Sequence, residues 1–210
     1  MSKNLRIYPS FTEECDLISK GCVPVAGLDE SGRGALAGPV VAAAVVFDRQ
    51  CTPNGIKDSK LLTRTQREDL FRKIKNQAAV GVGVADVVEI DDLNILQATF
   101  AAMTRAYDQL NPLPSVALVD GNRSPKLSCT VRTVIGGDGL SLSIADASIV
   151  AKVTRDNLMR DLAGTYPGYG WERIVGYATS EHLAALALRG VTPHHRRTFA
   201  PVARALKSKG

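Results

Sequence analysis

Five short apolar segments of strand length most constrain how this chain can fold. They are VPVAGLD (23–29), VVAAAVVF (40–47), VGVGVADV (80–87), SVALVD (115–120) and CTVRTVI (129–135). Runs rich in valine, or alternating at period two, are typical of β-strands. The first two segments are joined by a glycine-rich loop, whereas helical patterns separate later ones. The sequence therefore predicts an α/β fold, in which helices flank a mixed five-stranded sheet.

Several helices are indicated between and after these strands. Thr63 can cap a helix that runs to about Gln77. Apolar residues spaced three and four apart predict one further helix with a single buried stripe, formed by Leu93, Leu96, Phe100, Met103, Tyr107 and Leu110. A long helix is expected from near Ser141 to about Leu162, and a short one that ends at Gly190. Residues 1–22 are predicted to be irregular, and residues 191–210 to form a basic tail.

Composition narrows the class of protein. The 210 residues include 26 Lys and Arg against 21 Asp and Glu, a net charge of +5 that suits an acidic partner such as nucleic acid. None of the four cysteines forms a C-x-x-C pair, which favours reduced thiols in a cytoplasmic protein. The longest apolar stretch, residues 35–47, falls short of the ~20 residues that span a bilayer. We therefore expect a cytoplasmic protein without membrane association.

Acidic residues stand where predicted strands end. Asp29 and Glu30 close the first strand, Asp120 closes the fourth, and Asp138 lies between glycines just before the long helix. Strand ends in α/β domains meet at the edge where sites form. Clustered carboxylates raise one another's pKa, so a shared hard cation is expected, and oxygen ligands favour Mg²⁺ or Mn²⁺ over zinc. The alternative is that these acids cap turns, as Asp often does.

The loop SGRGALAGP (31–39) follows directly after the first pair of acids. Its Gly-x-Gly spacing does not indicate a dinucleotide site, because Pro39 and a strand follow where that motif requires a helix. Gly32 and Gly34 could form a plain connecting turn, or could let the backbone approach a ligand closely.

Seven segments occur in the order found in one known family. They are GLDESGRGALAGPVVAAAV (27–45), DSK (58–60), EIDDLNILQATFAAM (89–103), LVDGNRSPKL (118–127), ASIVAKVTRD (147–156), YPGYG (166–170) and TPHHRRTFAPV (192–202). Over residues 23–203 the chain resembles ribonuclease HII, the bacterial type 2 ribonuclease H. The resemblance implies a metal-dependent endoribonuclease that hydrolyses RNA in RNA–DNA hybrids. It also implies cutting on the 5′ side of ribonucleotides embedded in duplex DNA, which leaves 5′-phosphate and 3′-hydroxyl ends.

The resemblance also implies an architecture and a set of site residues. A lead-in (1–22) precedes a ribonuclease H-like catalytic domain (23–165), and a helical C-terminal extension (166–210) contributes to substrate binding. Two Mg²⁺ or Mn²⁺ ions are expected on the catalytic acids, which are Asp29, Glu30, Asp120 and Asp138. Gly32, Arg33 and Gly34 would grip the ribonucleotide near its 2′-hydroxyl and phosphate, and Tyr177 would pack on the neighbouring sugar.

Further basic residues are candidate phosphate contacts, and we expect a monomer whose partners are hybrids and ribonucleotide-containing duplexes. The candidates are Lys60, Arg123, Lys126, Lys152 and Arg155, although each of these residues alone is more often a solvated surface charge. The segment HHRR (194–197) is interpreted as structural or phosphate-facing. A competing hypothesis is a non-catalytic nucleic-acid-binding module of the same fold, but the presence of all four acids favours the enzyme.

The chain departs from the family pattern at four positions. Ile174 and Val175 stand where a His-Lys pair is common, and Ser180 stands where lysine is frequent. Asp146 replaces a small apolar residue; its side chain could approach the metals or face solvent, and we expect it to face solvent.

Overall fold

A computed structural model describes residues 8–47 and 62–207 of the chain. The strands are β1 (Val25–Ser31), β2 (Val40–Phe47), β3 (Ala78–Ala85), β4 (Val116–Asp120) and β5 (Thr130–Val134). The helices are α1 (Thr12–Ser19), α2 (Arg64–Gln77), α3 (Val87–Leu93), α4 (Ile95–Asp108), α5 (Leu142–Thr165), α6 (Trp171–Ile174), α7 (Ser180–Arg189) and α8 (Ala200–Lys207). Each predicted strand is found within two residues of its expected bounds. Lys60 lies outside the described residues.

The strands form one mixed sheet in the order β3-β2-β1-β4-β5. β1 pairs antiparallel with β2, and β2 with β3, whereas β1 and β4 run parallel, as do β4 and β5. In the parallel pair Leu28 is level with Val119. The residues that follow, Asp29 and Asp120, therefore leave adjacent strands at the same height.

Helices cover both faces of the sheet, as the sequence predicts. Alternate residues of β2 belong to different cores. Ala42 and Ala44 pack on the face covered by α4, and Ala43 and Val45 on the face covered by α5. All four are fully buried. A strand buried on both faces must be apolar at every position, which explains the unbroken run of β2.

Glycines in the strands let the two covering helices approach the sheet closely. A Cβ atom added at Gly27 of β1 would lie 2.1 Å from the backbone carbonyl carbon of Ser143 in α5. On the other face, Cβ atoms at Gly81 and Gly83 of β3 would lie 1.9 Å from the carbonyl oxygens of Ala106 and Ala102 in α4. Any side chain at these positions would force helix and strand apart.

The start of α2 was predicted correctly, but the single helix over residues 93–110 is wrong. Thr63 caps α2 in a capping box, because its side chain accepts the Gln66 N–H while the Gln66 side chain accepts the Thr63 N–H. Between α3 and α4, Asn94 adopts φ 69° and its side chain accepts the N–H groups of Leu96 and Gln97. Asparagine tolerates this conformation and caps the new helix, and Leu93 is left exposed.

The N-terminal segment is not wholly irregular, because residues 12–19 form α1. The side chain of Glu14 in this helix is buried. Its Oε1 accepts hydrogen bonds from Ser141 Oγ at 2.5 Å, Ser143 N at 2.9 Å and Ser143 Oγ at 2.6 Å. α1 is thereby attached to the first turn of α5.

The expectation that Asp146 faces solvent is wrong. α5 begins after Ser141, as predicted, but Asp146 lies on its buried side and is fully enclosed. Neither of its carboxylate oxygens has a hydrogen-bond partner within the described part of the chain. Burial, and secondarily the charge of Glu14, raises the pKa of Asp146 well above its usual value.

The C-terminal region packs on the sheet domain and does not form a simple tail. Within it, α8 spans residues 200–207, and His195 and Arg196 are fully buried. Of the two interpretations of HHRR, the structural one holds for these two residues. None of the helices in the described residues combines the length and the hydropathy needed to cross a bilayer.

Candidate active site

The carboxyl ends of β1 and β4 bring the predicted acids together. Asp29 and Glu30 lie near the end of β1, and Asp120 is the last residue of β4. Asp138 lies in a 3-10 turn (Gly137–Gly139) that follows β5 and precedes α5. All four line one cleft of about 330 Å³. The two parallel strands and the turn therefore converge as the sequence pattern predicts.

Backbone hydrogen bonds fix two of these carboxylates. Asp29 Oδ1 accepts the N–H of Glu30 at 2.7 Å. Asp120 Oδ1 accepts the N–H of Gly137 at 2.7 Å, which ties the end of β4 to the turn that carries Asp138. Ser148 of α5 also lines the cleft and hydrogen-bonds Asp29. The sequence analysis did not predict Ser148 as a lining residue of the cleft, and its one available signal is that it lies four residues before Lys152 on the same helix face.

Burial and repulsion between neighbouring carboxylates disfavour the charged forms of Asp29 and Glu30 in the cleft. Burial, then the charges of Glu30 and Asp120, raises the pKa of Asp29 well above its usual value. Burial also raises the pKa of Glu30, although the adjacent Arg33 opposes the rise. Neutralising this charge requires a proton or a cation, and an oxygen-rich site favours a hard divalent cation.

The donor set fits an open metal site and not a closed cage. In the described residues, no group of three or more His, Cys, Asp and Glu side chains converges closely enough to hold an ion alone. Mg²⁺ is commonly held by one or two carboxylates and completes its shell with water and substrate phosphate. Four carboxylates around an accessible cleft meet that requirement.

The glycines of the loop after β1 serve different purposes. Gly32 adopts φ +99°, and a Cβ there would lie 1.9 Å from Nε of Arg155, so the protein itself requires a glycine. At Gly34, by contrast, a Cβ would meet just the ring of Tyr177, at 3.9 Å. Gly34 therefore leaves open space beside the cleft that a ligand could occupy. Between them, Arg33 is half-exposed and donates from Nη1 to Glu30 Oε1 at 3.1 Å.

Tyr177 reaches the cleft from the C-terminal region. It lines the cleft together with the glycine loop, and 36% of its surface is exposed. Its backbone carbonyl oxygen lies 3.0 Å from Nδ1 of His182. His182 Nε2 in turn accepts the Trp171 N–H at 3.0 Å and lies 3.1 Å from His195 Nε2. Burial lowers the pKa of His195 to about 4 and also lowers the pKa of His182, so both imidazoles are neutral at physiological pH.

The remaining basic candidates divide into buried and exposed residues. Arg155 is fully buried, so the expectation that it contacts phosphate is wrong. Arg196 of the HHRR segment is buried as well, and burial, followed by the charge of Arg155, lowers the pKa of Arg196 to about 9.

The other basic candidates lie near the acidic cleft. Arg123 is exposed and lines a small pocket that shares Glu30, Arg33 and Asp120 with the acidic cleft. Three further basic residues border these pockets: Lys152 and Arg67 line the acidic cleft itself, and Lys126 lines a neighbouring pocket.

The mixed sheet and its acidic cleft define a protein of the ribonuclease H type. The structure is similar to the ribonuclease H2 of Pyrococcus horikoshii OT3, with a TM-score of 0.75 and 28% identity, covering 89% of this chain and 98% of that one. It is also similar to the ribonuclease HII of Archaeoglobus fulgidus, solved in complex with PCNA. That match has a TM-score of 0.72 and 25% identity, covering 84% of this chain and 95% of that one.

Sequence comparison places the chain more narrowly. The family model for ribonuclease HII matches residues 26–202. The ribonuclease HII of Paramagnetospirillum magneticum is 58% identical over 183 residues, which cover 85% of this chain and 91% of that protein. That of Ruegeria pomeroyi is 55% identical over 195 residues, covering 92% and 83%. The chain belongs to the ribonuclease HII family, whose members are endoribonucleases of the ribonuclease H type.

Proposed function

We propose that this protein hydrolyses RNA in RNA–DNA hybrids and cuts on the 5′ side of ribonucleotides embedded in duplex DNA. The products are a 5′-phosphate and a 3′-hydroxyl. The observation that carries the proposal is the shared cleft, in which four carboxylates lie beside Gly34 and Tyr177. The carboxylates that would act at the phosphate therefore lie next to the residues that would recognise the sugar.

The acids form the chemical half of the site. Enzymes of the ribonuclease H type depend on metal ions, and a Mn²⁺-bound ribonuclease HIII shares this fold at 20% identity. We assign Asp29, Glu30, Asp120 and Asp138 as ligands of two Mg²⁺ or Mn²⁺ ions. Bound in pairs, such ions supply an activated water and stabilise charge on the departing 3′-oxygen. The hydrogen bonds from Ser148 and from the Gly137 N–H hold Asp29 and Asp120 in place for this task.

The glycine loop and Tyr177 form the half that recognises the sugar. The open space at Gly34 allows backbone groups to approach a 2′-hydroxyl, the group that distinguishes RNA from DNA. Tyr177 supplies an aromatic face beside that position, and Arg33 can turn its guanidinium from Glu30 to a phosphate. Arg123 extends the basic rim, and residues 166–210 contribute to substrate binding through Tyr177.

A non-catalytic binding module of the same fold is the competing function. Such a module gains nothing from burying repelling carboxylates in a cleft, because the electrostatic cost would weaken both folding and phosphate binding. The raised pKa values of Asp29 and Glu30 support a site kept for catalysis.

The test is cleavage of duplex DNA that carries one ribonucleotide, with Mg²⁺ or Mn²⁺ and with EDTA. Cleavage 5′ to the ribonucleotide is expected with metal, none with EDTA, and all-DNA duplex should stay intact. Asp29→Asn should lower the rate roughly 100-fold or more, as loss of one charge-stabilising group commonly does. Binding of the duplex in Ca²⁺ should persist.

Asp92→Asn provides the matched control, because Asp92 is an exposed acid of α3. It should cleave like the parent. A parent that cuts all-DNA duplex equally well, or an Asp29→Asn protein that retains most activity at saturating metal, would contradict the proposal.

A further inference from the structure

Arg155 on α5 is a fully buried guanidinium bonded to backbone carbonyls. Nε donates to Pro39 O at 2.9 Å, Nη1 to Val175 O at 3.0 Å and Nη2 to Ala37 O at 3.1 Å. Within residues 8–47 and 62–207, no carboxylate hydrogen-bonds it. Burying a charge without a bonded counter-ion is costly, so the contacts that Arg155 makes should serve some purpose.

These contacts join the two parts of the sugar-recognition region. On one side, the Arg155 side chain fills the space that a Cβ at Gly32 would need. On the other side, its Cζ lies 5.6 Å from the centre of the Tyr177 ring. One side chain therefore sets the distance between the glycine loop and the aromatic ring.

The backbone leading to Tyr177 requires such support. Val175 adopts φ 45°, a left-handed conformation that is unfavourable for a β-branched residue. The conformation is imposed by tertiary contacts, namely the Arg155 bond to Val175 O and the bond from Leu36 N to Gly176 O at 2.8 Å. Loss of the Arg155 contact would let this segment relax and would move Tyr177.

We propose that Arg155 is a positioning residue that holds Tyr177 against the glycine loop and thereby sets the preference for single ribonucleotides over continuous hybrids. The inference rests on the proposed function. A single ribonucleotide offers one 2′-hydroxyl, so its placement depends on an ordered ring. A hybrid offers many registers, so it tolerates a displaced ring better.

A second buried arginine provides a matched comparison. Arg196 is also fully buried, but it donates to Gly38 O and Arg33 O and lies over the Phe199 ring at 5.2 Å. It supports the glycine loop itself. Replacement of Arg196 should therefore slow cleavage of both substrates by the same factor. Replacement of Arg155 should slow cleavage of the two substrates by different factors.

The experiment measures kcat/KM on both substrates for Arg155→Lys, Arg196→Lys and Arg160→Lys. Lysine keeps the charge but loses the planar fork. Arg155→Lys should lower the ratio of single-ribonucleotide to hybrid cleavage roughly tenfold, within the ~100-fold range that a 1 Å misplacement can cause. Arg196→Lys should lower both rates and preserve the ratio. Arg160 of α5 pairs with Glu68 and does not line the cleft, so its replacement should have no effect on either rate.

Repeating the Arg155→Lys measurement in a protein that lacks the Tyr177 ring separates positioning of the ring from general destabilisation of the protein. In Tyr177→Ala protein, Arg155→Lys should change the ratio no further, because its effect passes through the ring. If Arg155→Lys fails to fold, Arg155→Gln removes the buried charge, retains an NH₂ donor and should shift the ratio in the same direction.

A folded Arg155 variant with an unchanged ratio, or an equal change in both backgrounds, would overturn the positioning role while leaving the proposed function intact. A parent protein that cuts neither substrate would instead overturn the proposed function.

Discussion

Replacing Asp146 by alanine is expected to stabilise the protein at neutral pH. Both carboxylate oxygens of Asp146 and one of Glu14 are buried without a hydrogen-bond partner among the described residues. An unpaired buried polar group costs about 1–3 kcal/mol, and alanine is the better helix former. The small cavity left behind offsets part of this gain. We expect the free energy of unfolding to rise by about 1–2 kcal/mol.

The gain should depend on pH in a defined direction. Burial and Glu14 raise the pKa of Asp146 in the folded protein above the value of about 3.9 for an unfolded chain. The folded state therefore binds this proton more tightly than the unfolded state. Stability from this group is fully present below about pH 3.9 and is lost as pH rises through the folded pKa, by at most about 1.4 kcal/mol per pH unit. The advantage of alanine should be smallest in acid and should grow toward neutral pH.

Urea unfolding followed by the fluorescence of Trp171, the single tryptophan, measures this effect. The series runs from pH 4 to 8 in EDTA, where contributions of Asp29 and Glu30 are common to both proteins and cancel. Asp161→Ala removes an exposed acid of the same helix and should show no such gain. If Asp146→Ala is less stable than the parent at pH 7, or its advantage does not change with pH, the carboxyl is paired and the reasoning fails.

Three other outcomes are expected. Tyr177→Ala should reduce cleavage of a single ribonucleotide more than cleavage of a hybrid, with metal affinity unchanged; equal losses on both substrates would make it a packing residue. Gly34→Ala should leave the melting temperature unchanged and impair ribonucleotide cleavage. Gly32→Ala should lower the melting temperature, because the new Cβ would collide with Arg155 and residue 32 has φ +99°. Calorimetry of the two variants tests both expectations. Duplex binding in Ca²⁺ should weaken steeply with salt as counterions are released, and a dissociation constant insensitive to salt would exclude a basic phosphate-binding face.

The acids could be predicted from the sequence because their positions follow from local pattern. Asp29 and Asp120 end apolar strands, and parallel neighbours place such ends at one edge. Thr63 was predictable for a similar reason, since its capping partner Gln66 lies three residues away. In each case the information needed is contained within a few residues.

Other features depend on contacts between distant segments. Asp146 is fully buried and its pKa is raised in part by Glu14 of α1, more than 120 residues earlier in the chain, and nothing in its own helix indicates this. Arg155 resembles a surface cation in sequence, yet its partners Pro39 and Val175 lie in two other regions. Asn94 divides one apolar stripe into two helices through a backbone conformation that the spacing of leucines does not reveal.

The close contact at Gly27 has a consequence for motion in the site. Because the backbone of β1 touches the first turn of α5, neither can shift without carrying the other. Asp29 lies two residues beyond this contact on the strand, and Ser148 lies five residues beyond it on the helix. The two groups should therefore fluctuate together, and the amide protons of β1 and the start of α5 should exchange with solvent as one cooperative unit. A glycine that touches no substrate would in this way keep the width of the cleft constant while the surrounding loops move.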